Sequence, residues 1–157
     1  MNDLIPESAA PGSVITSLNR IGFSYMPLKT KSIYDERQNS DGTRVLVTRF
    51  YPRGVKRTHF DLWIHDLSPE AALLKEYRSN NLGWREFSRR YKSQMRSSPD
   101  SKRAIQSLVE ILEMGRNVTL LCYEREGEKC HRYLLKSIIE SSMKRKIKTL
   151  TSSTKKS

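Results

Sequence analysis

Cys130-His131-Arg132 sets a thiol, an imidazole and a guanidinium side by side, eight residues beyond a second thiol, Cys122. At the start of a helix, unpaired amide hydrogens and the positive dipole end would hold an anion there or lower a thiol pKa. The chemistry on offer is thiolate attack or anion capture. Cys130 or Cys122 would be the nucleophile, His131 the group that moves a proton, and Arg132 the anion contact. Arg49 and the Pro52-Arg53-Gly54 turn would add cations if their strand runs parallel to and beside the one that ends in Cys122. Asp61 is a further candidate acid or base. Each residue also has a plainer use. Cys122 and Cys130 would serve as small buried thiols, and His131 need not face its neighbour. Arg132 would pair with Glu124, Glu126 or Glu128, and Asp61 would be the solvated rim of a core segment containing Trp63, Ile64 and Leu67.

Spacing removes several familiar chemistries. A phosphatase loop needs an arginine six positions after its cysteine, but residue 128 is Glu. Arg132 comes ten positions after Cys122, and Glu124, Glu126 and Glu128 would repel the anion. A zinc site would use Cys122, Cys130, His131 and a distant His59 or His65, and closely paired cysteines are absent, so no metal or cofactor is expected. There is no phosphate-cradling Walker loop, nucleophile elbow or His-Glu-x-x-His.

The secondary structure that would carry these residues can be read from pattern. Leu28–Tyr34 and Arg44–Phe50 read as strands separated by the turn-rich 35–42. Pro52 and Gly54 take the chain out of the sheet. Ser68-Pro69-Glu70 supplies a cap, a first-turn proline and an acid for a helix through Tyr77. Trp84, Phe87, Tyr91 and Met95 recur at helical spacing in a second, arginine-rich helix. A third begins at Ser98-Pro99-Asp100 with Ala104, Leu108, Ile111 and Leu112 on its apolar face, and stops at Gly115. Val118–Cys122 reads as a strand buried on both faces with helices covering either side, and Leu134, Leu135, Ile138 and Ile139 mark a fourth helix. The expected fold class is α/β, a small layered domain with a short mainly parallel sheet flanked by helices. The expected division is a flexible leader over 1–27, the α/β domain over 28–142 and a basic disordered tail over 143–157.

The net charge of +12 points to polyanionic partners. Six cations and no acid lie in Met143–Ser157, so that segment carries half of the excess. No apolar run exceeds four residues, against the ~20 that span a bilayer, so no membrane partner is expected. The opening residues lack the cationic and apolar pattern of a secretory signal, so a cytoplasmic location is expected, with both cysteines as thiols.

Tyr34-Asp35, Asp41-Gly42, Arg44-Val45-Leu46-Val47, Arg49, Pro52-Arg53-Gly54, Trp63, Asp66-Leu67 with Pro69, Trp84 with Phe87 and Tyr91, and Leu120-Leu121-Cys122 together resemble the domain of unknown function 488 (DUF488) family, the YeaO-like group. The similarity runs over roughly Leu28 to Glu140. Cys122 followed by Cys130-His131-Arg132 is similar to the cysteine-containing branch. The sequence departs from the family pattern at Glu70, where serine is common, at Gln94, where glutamate is common, and at Tyr51, where tryptophan is usual. The resemblance implies a compact α/β fold with a pocket between the Pro-Arg-Gly loop and the Cys-His-Arg helix start, and it implies no reaction. Two functions are therefore expected in competition. One is a phosphate-bearing ligand, nucleotide or nucleic acid, held by Arg49, Arg53 and Arg132, with any chemistry at Cys130 or Cys122 and the proton moved by His131 or Asp61. The other is a non-catalytic nucleic-acid module gripping phosphates through the basic tail and the arginine-rich helix.

Overall fold

A computed structural model describes residues 28–154. In chain order these form strands β1 (Leu28–Ser32), β2 (Thr43–Leu46) and β3 (Leu62–Trp63), helices α1 (Ala71–Arg78), α2 (Trp84–Ser97) and α3 (Pro99–Glu113), strand β4 (Val118–Cys122) and helix α4 (His131–Thr154). The strands make one parallel sheet in the order β1-β4-β2-β3. The expected α/β class holds, and β2 does lie parallel to and beside β4. Leu62–Trp63, read from sequence as core without a strand, adds a short edge strand to β2.

Every residue of β4 is buried, as its apolar run requires of a central strand. Its two faces are covered differently. Leu28, Val45, Val118 and Leu120 pack with Leu73, Phe87, Tyr91, Leu108, Leu112, Leu135 and Ile139, so the helices share one face. Leu46 and Leu121, on the opposite face by strand alternation, pack instead against Ile33, Val55 and Phe60, with Trp63 beside them. Among the described residues, loop segments rather than α-helices cover that side, which differs from the expectation of helices on both. Burying one such Leu or Val completely contributes about 1.5–3 kcal/mol. By the same alternation Cys122 falls on the helix face with Val118 and Leu120.

Local chemistry explains the helix boundaries. Ser98 caps α3 by accepting the Ser101 amide at 3.2 Å, with Pro99 in the first turn. Ser68 does not cap α1; it is buried and donates its hydroxyl to the His65 carbonyl, and helix begins after Glu70. Gln94 of α2 holds that junction instead. Its amide oxygen accepts the Glu70 N–H and its amide nitrogen donates to the Ser68 carbonyl, each at 3.0 Å, a pairing that a glutamate carboxylate could not complete. In α4, Leu135, Ile139 and Met143 form the buried stripe. Met143 is core, and the basic segment after it continues the helix to Thr154, where the sequence reading expects a disordered tail from 143. The expected leader over 1–27 and the last residues, 155–157, lie outside the described part. Among the described residues no helix is long and apolar enough to cross a membrane.

The amino-terminal edge of the sheet carries a buried ion pair. Arg44 and Asp41 are 0% and 1% exposed and meet at 2.6 Å, and Lys31 adds a second cation to Asp41 at 3.1 Å. Arg44 also donates to the carbonyls of His59 and Asp35. Gly42, beside the pair, has φ +64° and its α-carbon faces the Asn117 carbonyl so closely that a Cβ would sit 2.1 Å from the oxygen, so no side chain fits. Burial pushes the Asp41 pKa up, but the Gln38 amide, Arg44 and Lys31 outweigh it and hold the carboxyl below its ordinary 3.8. A depressed carboxylate stabilises the fold above its unfolded pKa and loses that contribution as pH falls through the folded value. Asp41→Ala, which strands Arg44 in the interior, is expected to cost about 3–5 kcal/mol in urea unfolding at neutral pH. Asp41→Asn is expected to flatten the fall in stability of the wild-type chain below about pH 4.

Candidate functional site

The strands being parallel, their carboxyl ends share one edge, where ligands collect in open α/β sheets. Cys122 ends β4 there, and the 123–129 loop returns the chain to Cys130 and the first turn of α4. Cys122, Cys130 and His131 are all buried, at 1%, 2% and 6% exposure. Each sulfur lies 3.9 Å from His131 Nδ1. His131 Nε2 is 2.7 Å from the Val47 carbonyl, which can only accept, so Nε2 carries a hydrogen and Nδ1 faces both sulfurs. Tyr91 of α2 packs its ring edgewise on the imidazole at 5.4 Å and donates its hydroxyl to the Leu67 carbonyl at 2.8 Å.

The cluster's electrostatics divide the two thiols. A hydrogen bond from the Cys122 thiol, aided by His131 and opposed by burial, draws the Cys130 pKa down to about 6. The same bond, with burial, pushes the Cys122 thiol well up. Burial raises the Tyr91 hydroxyl well above its ordinary range, and the neighbouring sulfur charge adds to it. Glu124 joins the cluster. Burial pushes its carboxyl up, but hydrogen bonds from the Cys122 and Cys130 thiols outweigh this and leave it lowered. Its Oε2 is buried with no hydrogen-bond partner. Two sulfurs and an imidazole nitrogen therefore converge within 4.8 Å of one another, a set suited to thiolate nucleophilicity, dithiol exchange or metal ligation.

The structure thus unites Cys122, Cys130 and His131 from the sequence candidates, and it separates the others. Asp61 precedes β3, at the opposite edge of the sheet, where its carboxylate accepts the Arg44 amide at 2.7 Å and Arg37 at 2.9 Å. Strand direction thus places it at the other end of the sheet from the thiols. Arg132 is 0% exposed; its terminal nitrogens donate to the Glu124 carbonyl at 2.6 Å, the Arg125 carbonyl at 3.0 Å and the Tyr133 hydroxyl at 3.1 Å, while its Nε–H is buried without a partner among the described residues. It is a tether for the 123–129 loop and not an open anion contact. Its expected alternative, an ion pair with a loop glutamate, is replaced by bonds to loop carbonyls. Arg49 is half-buried and donates to the Pro69 carbonyl at 3.1 Å, while Arg53 is exposed on the loop after β2. Glu124, read from sequence as a charge repelling an anion, was missed as a member of the cluster; its place next to the strand end was the available signal.

A second feature draws on residues far apart in the chain. Between α2 and α4 runs a cleft of about 300 Å³ lined by Lys92, Arg96, Ser137, Ile138, Ser141 and Arg145, three cations and two hydroxyls with no acid. The arginine-rich helix and the basic end of the chain, which the sequence presents as separate, form its two walls. Several other cations of these helices pair with acids: Arg89 and Arg90 with Glu86, and Lys146 with Glu113.

Comparison with known proteins identifies the family. The family model described as the active DUF488-N3 subclade matches residues 28–143. The chain is 32% identical over 72 residues to the uncharacterized protein YeaO of Escherichia coli K12, a stretch covering 45% of this chain and 63% of the relative. It is 27% identical over 73 residues to uncharacterized proteins of Mycobacterium bovis and Mycobacterium tuberculosis, covering 45% of this chain and 62% of each. The aligned part thus spans less than two thirds of these relatives. No solved structure matches the chain significantly.

Because the guanidinium of Arg132 replaces water for two loop carbonyls, Arg132→Met is expected to destabilise the fold by about 1.5–3 kcal/mol and to open the loop. Limited proteolysis followed by mass spectrometry should report faster cleavage within 123–129, with the remaining sites unchanged.

Proposed function

The chain belongs to the active DUF488-N3 subclade, and on that footing we propose that it binds nucleic acid through the basic cleft between α2 and α4. One observation carries the reading: Lys92, Arg96 and Arg145 face one cleft with Ser137 and Ser141 and no carboxylate among them. Lysine and arginine neutralise phosphates as point charge and fork, and serine hydroxyls donate to phosphate oxygens. An acid-free lining spares the ligand the repulsion that a mixed-charge helix surface would impose. The cleft is open and leads onto the exposed basic end of α4, which suits a chain of phosphates better than one.

A mononucleotide held at the sheet edge by Arg49, Arg53 and Arg132 is the weaker reading, since Arg132 is committed to loop carbonyls and Glu124 stands beside the sulfurs. The contacts are to phosphate, so affinity should depend on salt more than on base sequence. The net charge of +12 assists encounter at long range.

The test is fluorescence anisotropy with single-stranded and duplex oligonucleotides across a salt series. Each phosphate contact contributes about 0.7–0.9 to the slope of log affinity against log salt. The triple variant Lys92→Ala, Arg96→Ala, Arg145→Ala is expected to reduce that slope by about 2–3 and to weaken binding at low salt, while Arg53→Ala leaves both near wild type. Equal losses in the two variants, or no oligonucleotide binding at low salt, would refute the cleft.

A further inference from the structure

The buried cluster at the sheet edge is independent of that cleft and has its own chemistry. Cys122 Sγ, Cys130 Sγ and His131 Nδ1 all lie within 4.8 Å of one another. A tetrahedral zinc ion with bonds of about 2.3 Å to sulfur and about 2.0–2.1 Å to nitrogen sets sulfur and nitrogen about 3.6 Å apart, and two sulfurs about 3.8 Å apart. The observed sulfur–nitrogen separations of 3.9 Å need to close by only a few tenths of an ångström to meet that geometry.

The imidazole is already oriented for the task. The Val47 carbonyl holds Nε2–H at 2.7 Å, which is how histidine ligands are fixed, and it leaves Nδ1 to coordinate. The Glu124 carboxylate falls outside that 4.8 Å set, but it follows β4 closely and its Oε2 is buried without a partner among the described residues, so it could turn toward an ion as a fourth donor. An unsatisfied buried carboxylate oxygen is costly, and a cation would supply what it lacks.

We infer that Cys122, Cys130 and His131 form a three-ligand site for a divalent transition metal of the zinc class, with the fourth position open to Glu124 or water. Two thiolates and an imidazole favour such an ion over magnesium or calcium, which take oxygen ligands. On binding, metal–sulfur bonds form at both cysteines and their two thiol protons, less any already lost, pass to solvent; no electron is transferred. The ion ties the end of β4, the loop after it and the first turn of α4 together. This arrangement escapes a search for closely paired cysteines because one thiol comes from a strand end and the other from a helix start.

The test uses the full chain, purified under reductant and examined by elemental analysis after growth with added zinc. About one zinc per chain is expected. Exchange with Co²⁺ should give thiolate-to-cobalt charge-transfer absorption and the intense d–d bands of tetrahedral coordination. Cys122→Ser and Cys130→Ser should each weaken the charge-transfer band, and His131→Ala should alter the d–d bands. Where Glu124 takes the fourth position, Glu124→Gln should also alter those bands and lower Zn²⁺ affinity by at least the roughly tenfold that losing an outer-shell partner costs. Circular dichroism checks that each variant is folded. Where a variant is not, alkylation of the chelator-stripped wild-type chain decides, with Zn²⁺ expected to protect both thiols. Folded, reduced wild-type protein that takes up neither Zn²⁺ nor Co²⁺, or whose thiols react equally fast with and without Zn²⁺, would overturn the inference.

Discussion

The molecule is arranged around the parallel pairing of β4 between β1 and β2. A strand apolar along its whole length must be covered on both faces and hydrogen-bonded on both edges, and only the centre of the sheet offers that. Once β4 is central and every neighbour parallel, strand direction sorts the polar residues. Those before a strand go to one edge of the sheet, and those after it go to the other. Asp41 and Asp61 therefore meet Arg44 at the amino edge, while Cys122, Glu124 and the first turn of α4 meet at the carboxyl edge.

The two edges use buried charge in opposite ways. At the amino edge the charges compensate one another: Asp41 sits between Arg44 and Lys31, and Arg44 fills its remaining donors with backbone carbonyls. Such a pair contributes specificity more readily than net stability, since desolvation offsets much of the attraction. At the carboxyl edge, compensation is incomplete. Two thiols face one imidazole nitrogen, and among the described residues a Glu124 oxygen and the Arg132 Nε–H are buried without a partner. The polar groups of the described residues are thus satisfied more completely at the amino edge than at the carboxyl edge.

The helices serve both proposed functions without sharing residues between them. Tyr91 of α2 supports the imidazole, while Lys92 and Arg96 of the same helix face the cleft. In α4, His131 belongs to the cluster, Leu135, Ile139 and Met143 to the core, and Ser137, Ser141 and Arg145 to the cleft wall. Helical periodicity makes this division natural, because residues three to four apart share a face and the others do not. The cleft and the buried cluster are consequently two results of docking α2 against α4.

Composition and spacing were enough for the α/β class, the four main helices, the buried character of Val118–Cys122 and the placing of Cys130-His131 at a helix start, because these arise from local periodicity and capping. The resemblance marked by Pro52-Arg53-Gly54 and Cys130-His131-Arg132 located the family. Folding alone made Asp61 face away from the thiols, turned Arg132 inward to loop carbonyls, joined Glu124 to the sulfurs, and made Met143 core before a helix that runs on to Thr154. It also brought Lys92 and Arg145 to one cleft. The cause is the same in each case: a pattern along the chain reports which residues are buried or exposed, whereas strand direction, the packing of one helix on another and the choice of hydrogen-bond partner depend on segments that meet only in the folded chain.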